Sequence, residues 1–158
     1  MNFFQKLHDL CVEKNISIAT AESCTAGLLV SKLSAFSGAS SFLKGGIIAY
    51  QNDIKIDLLK VSKSLIKEKT AVCSDVVEQM AEAVRYRFLA DFSIATSGYA
   101  GPTGGTESNP VGTVFIAVSS KERTISKRFV FAGDREDIVR QSVVKGVEFL
   151  IQELKNQL

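Results

Sequence analysis

Phe92-Ser93-Ile94-Ala95-Thr96-Ser97 runs directly into Gly98-Tyr99-Ala100-Gly101-Pro102-Thr103-Gly104-Gly105-Thr106. The leading run is short, uncharged and rich in small and β-branched residues, which predicts a buried strand. Upstream, Cys73 to Phe88 places Val76, Met80, Val84 and Phe88 four residues apart, the spacing of one helical face. An amphipathic helix, a buried strand and a glycine-rich loop in succession form the repeating unit of an α/β sheet.

On either side of this unit the same alternation recurs. A helix is predicted over about residues 2–14, a short buried strand over Ile16 to Ala21, and a second helix from Ser23 carrying Leu28, Leu29, Leu33 and Phe36. Ser37 to Ser41 reads as a turn, Gly45 to Tyr50 as a strand, and Asp57 to Lys69 as short helical pieces. Beyond the glycine loop, Gly112 to Ser120 and Thr124 to Ala132 read as a hairpin around Ser120-Lys121-Glu122-Arg123. The last helix spans about Asp134 to Leu154, with Asp134 as its N-cap and Val143, Val147, Leu150, Ile151 and Leu154 facing inward. This order predicts a three-layer α/β/α sandwich around a mixed, mostly parallel sheet of about five strands. With 158 residues, no repeat and no linker, one domain over 1–158 is expected.

Composition narrows the chemistry. Nineteen Lys and Arg against seventeen Asp and Glu leave +2, no electrostatic reason for DNA, RNA or an anionic membrane as partner. No apolar run approaches a bilayer span and the first residues do not form a secretory signal, so a cytoplasmic protein is expected. The three cysteines, at 11, 24 and 73, form no C-x-x-C pair and no disulfide framework. His8 is the one histidine; it falls off the apolar stripe of Phe3, Leu7, Leu10 and Cys11 and is expected on the surface. Catalysis by two imidazoles is excluded, and a Ser–His–Asp triad would have to recruit His8.

In sheets of this kind ligands bind at the carboxyl ends of the strands. Three segments arrive there. In Thr20-Ala21-Glu22-Ser23-Cys24-Thr25-Ala26-Gly27, Ser23 is either the N-cap of the next helix or a nucleophile backed by that helix's amides. Cys24 is a competing thiol nucleophile or buried filler. In the second segment, Lys55 follows the strand ending near Tyr50; it is either a solvated lysine or, where histidine is missing, a desolvated base for a serine. Tyr50 is a core tyrosine or a catalytic phenol. The third segment is the glycine loop, which fits neither a dinucleotide nor a Walker fingerprint but lets backbone amides approach an anion. Arg135 is a phosphate clamp or a solvated charge.

Taken in order, Thr20-Ala21-Glu22-Ser23-Cys24-Thr25, then Gly45-Gly46 with Ala49-Tyr50-x-Asn52-x-x-Lys55, then Ser97-Gly98-x-Ala100-Gly101-Pro102-x-Gly104-Gly105, Pro110-Val111-Gly112-Thr113-Val114 and Gly133-Asp134-Arg135 resemble the CinA C-terminal domain family. The resemblance covers roughly residues 5–155; the nucleotide-binding-like N-terminal domain of full-length members has no counterpart within these residues. It implies an amidohydrolase that converts nicotinamide mononucleotide and water to nicotinate mononucleotide and ammonia, in pyridine nucleotide salvage. Carried over by position, Ser23 is the nucleophile, Lys55 the general base, and Tyr50 assists. Thr25, Gly45, Gly46, Gly98, Ala100, Gly101, Arg135 and Arg140 are implied to contact the substrate, with the oxyanion held by amides of Ser23 to Thr25 or of the glycine loop. No metal or organic cofactor is implied, and a homodimer is the default assembly. The alternatives are a non-catalytic nucleotide-binding module and a thiol enzyme using Cys24. One departure stands out: Ala26 stands where the family usually has glycine, and its methyl group either crowds the substrate or is simply accommodated by the helical backbone that alanine prefers.

Overall fold

The computed structural model describes residues 2–158. The strands are β1 (Ile18–Glu22), β2 (Leu43–Ile48), β3 (Phe92–Gly98), β4 (Thr113–Ser120) and β5 (Thr124–Val130). The helices are α1 (Phe3–Lys14), α2 (Leu28–Leu33), α3 (Asn52–Leu59), α4 (Lys63–Lys69), α5 (Ser74–Phe88) and α6 (Arg135–Gln157). One sheet has the order β2-β1-β3-β4-β5. β1 pairs parallel with β2 and with β3, while β4 runs antiparallel to both β3 and β5. Four strands therefore share a direction and β4 is reversed, the mixed sheet the pattern predicts.

Alternation along each strand builds two cores. Ile18, Ile94, Val114, Ile116 and Val118 face α1, α2 and α6 with Leu7, Leu29, Val147 and Leu150. Ala19, Ala21, Ala95 and Ala117 face the other way, against Val76, Val77, Met80 and Val84 of α5. These small residues let a long helix lie close on the sheet, with α3 and α4 packed beside it. On the opposite layer α6 gains the same closeness at Gly146, where a Cβ would stand 2.9 Å from Ile94 Cδ1. Its entry is fixed by a capping box, Asp134 accepting from the Asp137 amide at 2.9 Å and Asp137 from the Asp134 amide at 3.1 Å.

His8 differs from expectation. Its side chain is only 13% exposed, T-shaped against Phe42, and Nε2 meets the Ser37 carbonyl oxygen at 3.1 Å. The turn at 37–41 folds back over α1 and covers it, a long-range contact that helical spacing cannot show. Among the described residues no helix is long and apolar enough to cross a membrane.

Candidate active site

The C-terminal ends of β1, β2 and β3 lie along one edge, and the chain leaves β1 for neighbours on opposite sides. That reversal opens a crevice. The cavity there, about 470 Å³, is lined by Ser23 and Cys24 after β1, Tyr50, Asn52 and Lys55 after β2, and Ser97 to Gly101 with Thr103 around the end of β3. Thr70, Ala71 and Val72 form another wall, and Arg135 closes the rim. Because β5 runs parallel to β1, the N-terminus of α6 and its Arg135 arrive at the same edge.

Ser23 does not open a helix. The segment 23–27 is a tight turn, and α2 begins at Leu28 with Gly27 as its N-cap, so the N-cap reading of Ser23 is set aside. The Ser23 amide donates to the Thr96 carbonyl at 3.0 Å, which extends the β1–β3 ladder by one bond and removes that amide from any oxyanion site. Its hydroxyl donates to the Tyr50 carbonyl at 3.5 Å, a loose contact. Ala26 is not helical either: its φ is 48°, left-handed, followed by Gly27 at 97°. A glycine is the natural occupant there because an L-residue meets its own carbonyl in that region.

Lys55 is not a solvated lysine. It shares the inward face of α3 with Leu59, one turn on, and is 2% exposed. Nζ donates to the Tyr50 carbonyl at 3.0 Å. Burial disfavours the ammonium and brings the Lys55 pKa down from 10.5 to about 8. For Cys24 burial acts the other way on an acid, pushing the thiol up to about 12, so it stays protonated at neutral pH.

Tyr50 is half exposed, not a core tyrosine. Its carbonyl serves Ser23 and Lys55, while its hydroxyl accepts from Arg135 Nη2 at 2.7 Å. Arg135 Nη1 also donates to the Gly101 carbonyl at 2.6 Å, so the guanidinium ties the glycine loop to the segment carrying Lys55.

Four residues implied by resemblance lie outside the cavity. Gly45 and Gly46 sit within β2, opposite Ala19 and Thr20. A Cβ at Gly46 would collide with Thr20 Oγ1, and one at Gly45 would press on the Phe88 ring at 3.0 Å, so strand and helix packing account for this pair. Thr25 is buried between Glu22 and Thr96. Arg140 is on the surface of α6, paired with Asp137 at 2.8 Å. Gly98, Ala100, Gly101 and Arg135 do line the cavity. At Gly98 a Cβ would stand 2.6 Å from the Thr113 carbonyl oxygen, so this strand end requires glycine. The wall at Thr70 to Val72 escaped the sequence reading because it is brought in by folding alone, through Ser97 Oγ donating to the Ala71 carbonyl at 2.8 Å.

Comparison with known proteins agrees with the blocks of sequence. The family described as CinA C-terminal domain matches residues 2–154. A CinA-like protein of Shewanella halifaxensis is 40% identical over 99% of this chain and 37% of its own length. Another, of Fervidobacterium nodosum, is 41% identical over 91% of this chain and 35% of its own. The chain thus spans little more than a third of these relatives. A competence-damaged protein (CinA) superfamily structure from Enterobacter cloacae superposes with a TM-score of 0.92 at 34% identity, covering 96% of this chain and 90% of that one. The competence damage-inducible protein A of Klebsiella pneumoniae superposes with 0.93 at 31%, covering 97% and 95%. On sequence and on structure, the chain belongs to the CinA C-terminal domain family.

Proposed function

We propose that the site is that of an amidohydrolase acting on nicotinamide mononucleotide through a Ser23–Lys55 pair. One observation carries the reading: a buried lysine of lowered pKa and a serine hydroxyl converge on a single carbonyl at the floor of the crevice. At pH 7 about a tenth of such a lysine is neutral, against well under a thousandth for a free one.

In the reaction, neutral Lys55 takes the Ser23 proton as Oγ attacks the carboxamide carbon. The Ser23 amide being engaged, the oxyanion falls to the amide of Cys24, a lining residue whose N–H donates to no other residue among those described. Collapse breaks the C–N bond, and Lys55 returns the proton to the departing ammonia. Water then attacks the acyl-enzyme with Lys55 again as base, releasing nicotinate mononucleotide and free Ser23. Among the lining residues the charged side chains are Lys55 and Arg135, with no carboxylate, which suits a phosphorylated substrate. Tyr50 and Tyr99 offer aromatic surface to a pyridinium ring.

The test is ammonia release from nicotinamide mononucleotide, nicotinamide and glutamine in parallel, with and without EDTA. Release from the nucleotide alone, unaffected by chelation, is the expected result. Binding of the nucleotide without ammonia would favour a non-catalytic regulatory module instead.

A further inference from the structure

The residue before Ser23 carries a second network that the reaction above does not use. Glu22 ends β1 and is fully buried. Its Oε1 accepts from the Leu29 amide at 2.8 Å and from Thr25 Oγ1 at 2.6 Å, and its Oε2 from the Val30 amide at 3.1 Å. Leu29 and Val30 are the second and third residues of α2, whose amides an N-cap side chain ordinarily satisfies. The N-cap here is Gly27, which has no side chain. Glu22 therefore caps α2 from outside it, across the turn 23–27.

The hydrogen-bond ring closes back on the serine. Thr25 donates its single hydroxyl proton to Glu22, so the 2.8 Å contact between Thr25 and Thr96 must run from Thr96 Oγ1 to Thr25 Oγ1. The carbonyl of Thr96 in turn accepts from the Ser23 amide. Ser23, Cys24 and Thr25 are thus held from both sides, by the strand bond at one end and by Glu22 at the other. The turn they occupy contains left-handed Ala26, a conformation that persists only when its surroundings impose it.

We propose that Glu22 is a positioning residue: its buried carboxylate clamps the 23–27 turn, and so sets the direction of Ser23 Oγ and of the Cys24 amide. This rests on Ser23 being the nucleophile. Glu22→Gln preserves size but presents an amide group where two backbone N–H donors and a hydroxyl need acceptors. Its expected signature is a fall in kcat of at least tenfold for nicotinamide mononucleotide, with KM within about twofold and the pH at which the Lys55 limb rises unchanged.

A second readout needs no knowledge of the substrate. Phenylmethanesulfonyl fluoride transfers its sulfonyl group to a nucleophilic serine, the S–O bond forming as fluoride leaves and the serine proton passes to the base. The rate of modification at Ser23, followed by mass spectrometry, should be at least tenfold lower in Glu22→Gln than in wild type. Leu29→Ala serves as the control, since it loosens the same helix by loss of packing yet leaves the carboxylate network in place. Equal loss of labelling in Leu29→Ala and Glu22→Gln, at equal loss of thermal stability, would reduce Glu22 to a structural cap and overturn the proposal. So would wild-type labelling rates in Glu22→Gln. No labelling of Ser23 in the wild-type protein would overturn the Ser23 reading itself, and the positioning role with it. Should Glu22→Gln fail to fold, Thr25→Val, which removes one arm of the clamp, is expected to lower the labelling rate at least threefold, and an unchanged rate would overturn the proposal.

Discussion

Ser23 and Lys55 meet on one atom, the carbonyl oxygen of Tyr50, which accepts from Nζ at 3.0 Å and from Oγ at 3.5 Å. A shared acceptor keeps hydroxyl and amine side by side without committing either to the other. The longer of the two bonds is the serine's, so in the proposed reaction the hydroxyl is the group free to turn toward the amine.

Ser23→Ala should abolish amidase activity, by several orders of magnitude, because it removes the hydroxyl that shares the Tyr50 carbonyl with Lys55. Since the hydroxyl caps no helix and makes only a long bond, stability should change by no more than about 0.5 kcal/mol. Cys24→Ala should retain most activity, its thiol being protonated near neutrality. Kinetics and urea unfolding of both variants check this, and an active Ser23→Ala would invert the assignment.

Lys55 links activity to stability through pH. The unfolded lysine titrates near 10.5 and the folded one near 8. Below pH 8 both are charged and burying the ammonium costs about 3 kcal/mol in full. Between about 8 and 10.5 the folded lysine is already neutral, so that cost fades as pH rises. Lys55→Met should therefore be more stable than wild type at pH 7, by about 2 kcal/mol after loss of the Tyr50 hydrogen bond, and the advantage should vanish by pH 10.5. It should also be inactive. In wild type the rate should climb with pH on a limb near 8, whereas Lys55→Arg should be nearly dead although charge is kept. Unfolding measured at pH 7 and pH 10, beside the pH–rate profile, decides each point.

Arg135 bridges Tyr50 and Gly101, so Arg135→Ala and Tyr50→Phe should share part of their effect. Each is expected to raise KM for the nucleotide, Arg135→Ala by tenfold or more, with a smaller change in kcat. Tyr50→Phe keeps the backbone carbonyl that holds Lys55 and should leave the pH limb in place. In a double-mutant cycle the two should couple by about 1 kcal/mol; strict additivity would show that the bridge carries no energy.

Ala26 holds a left-handed backbone at φ 48°. Ala26→Gly removes a strain of roughly 1–2 kcal/mol but adds freedom to the unfolded chain worth about 0.4–1 kcal/mol, so the protein should become slightly more stable or stay unchanged. Ala26→Val, β-branched in the same conformation, should lose more than about 1 kcal/mol. Urea midpoints separate the two, and a destabilised Ala26→Gly would mean the alanine methyl packs favourably.

Much of this protein is determined by local sequence pattern. Spacing of four through Val76, Met80 and Val84 made α5 legible, uninterrupted small and β-branched residues made β3 legible, and Asp134 marked the start of α6 to the residue. These signals are local because helix periodicity, strand alternation and capping involve residues a few positions apart. The start of α2 was not legible in the same way: Ser23 has the composition of an N-cap, yet the cap is made by Glu22 at a distance, and the intervening turn lets φ go positive at Ala26. Composition, with one histidine in the chain, excluded catalysis by two imidazoles and left a serine with a non-histidine base open beside a Cys24 thiol; it is the resemblance that singles out Ser23 and Lys55. The environment of Lys55 comes from packing alone. A lysine on a short helix is ordinarily solvated, and no spacing reveals that this one is buried in the crevice against the Tyr50 carbonyl, where lost hydration moves its pKa toward neutrality. The same holds for Gly45 and Gly46, where the absence of a side chain leaves room for Phe88 and Thr20. Desolvation and steric closeness are set by residues far away in the chain, and so become visible only when the layers are packed.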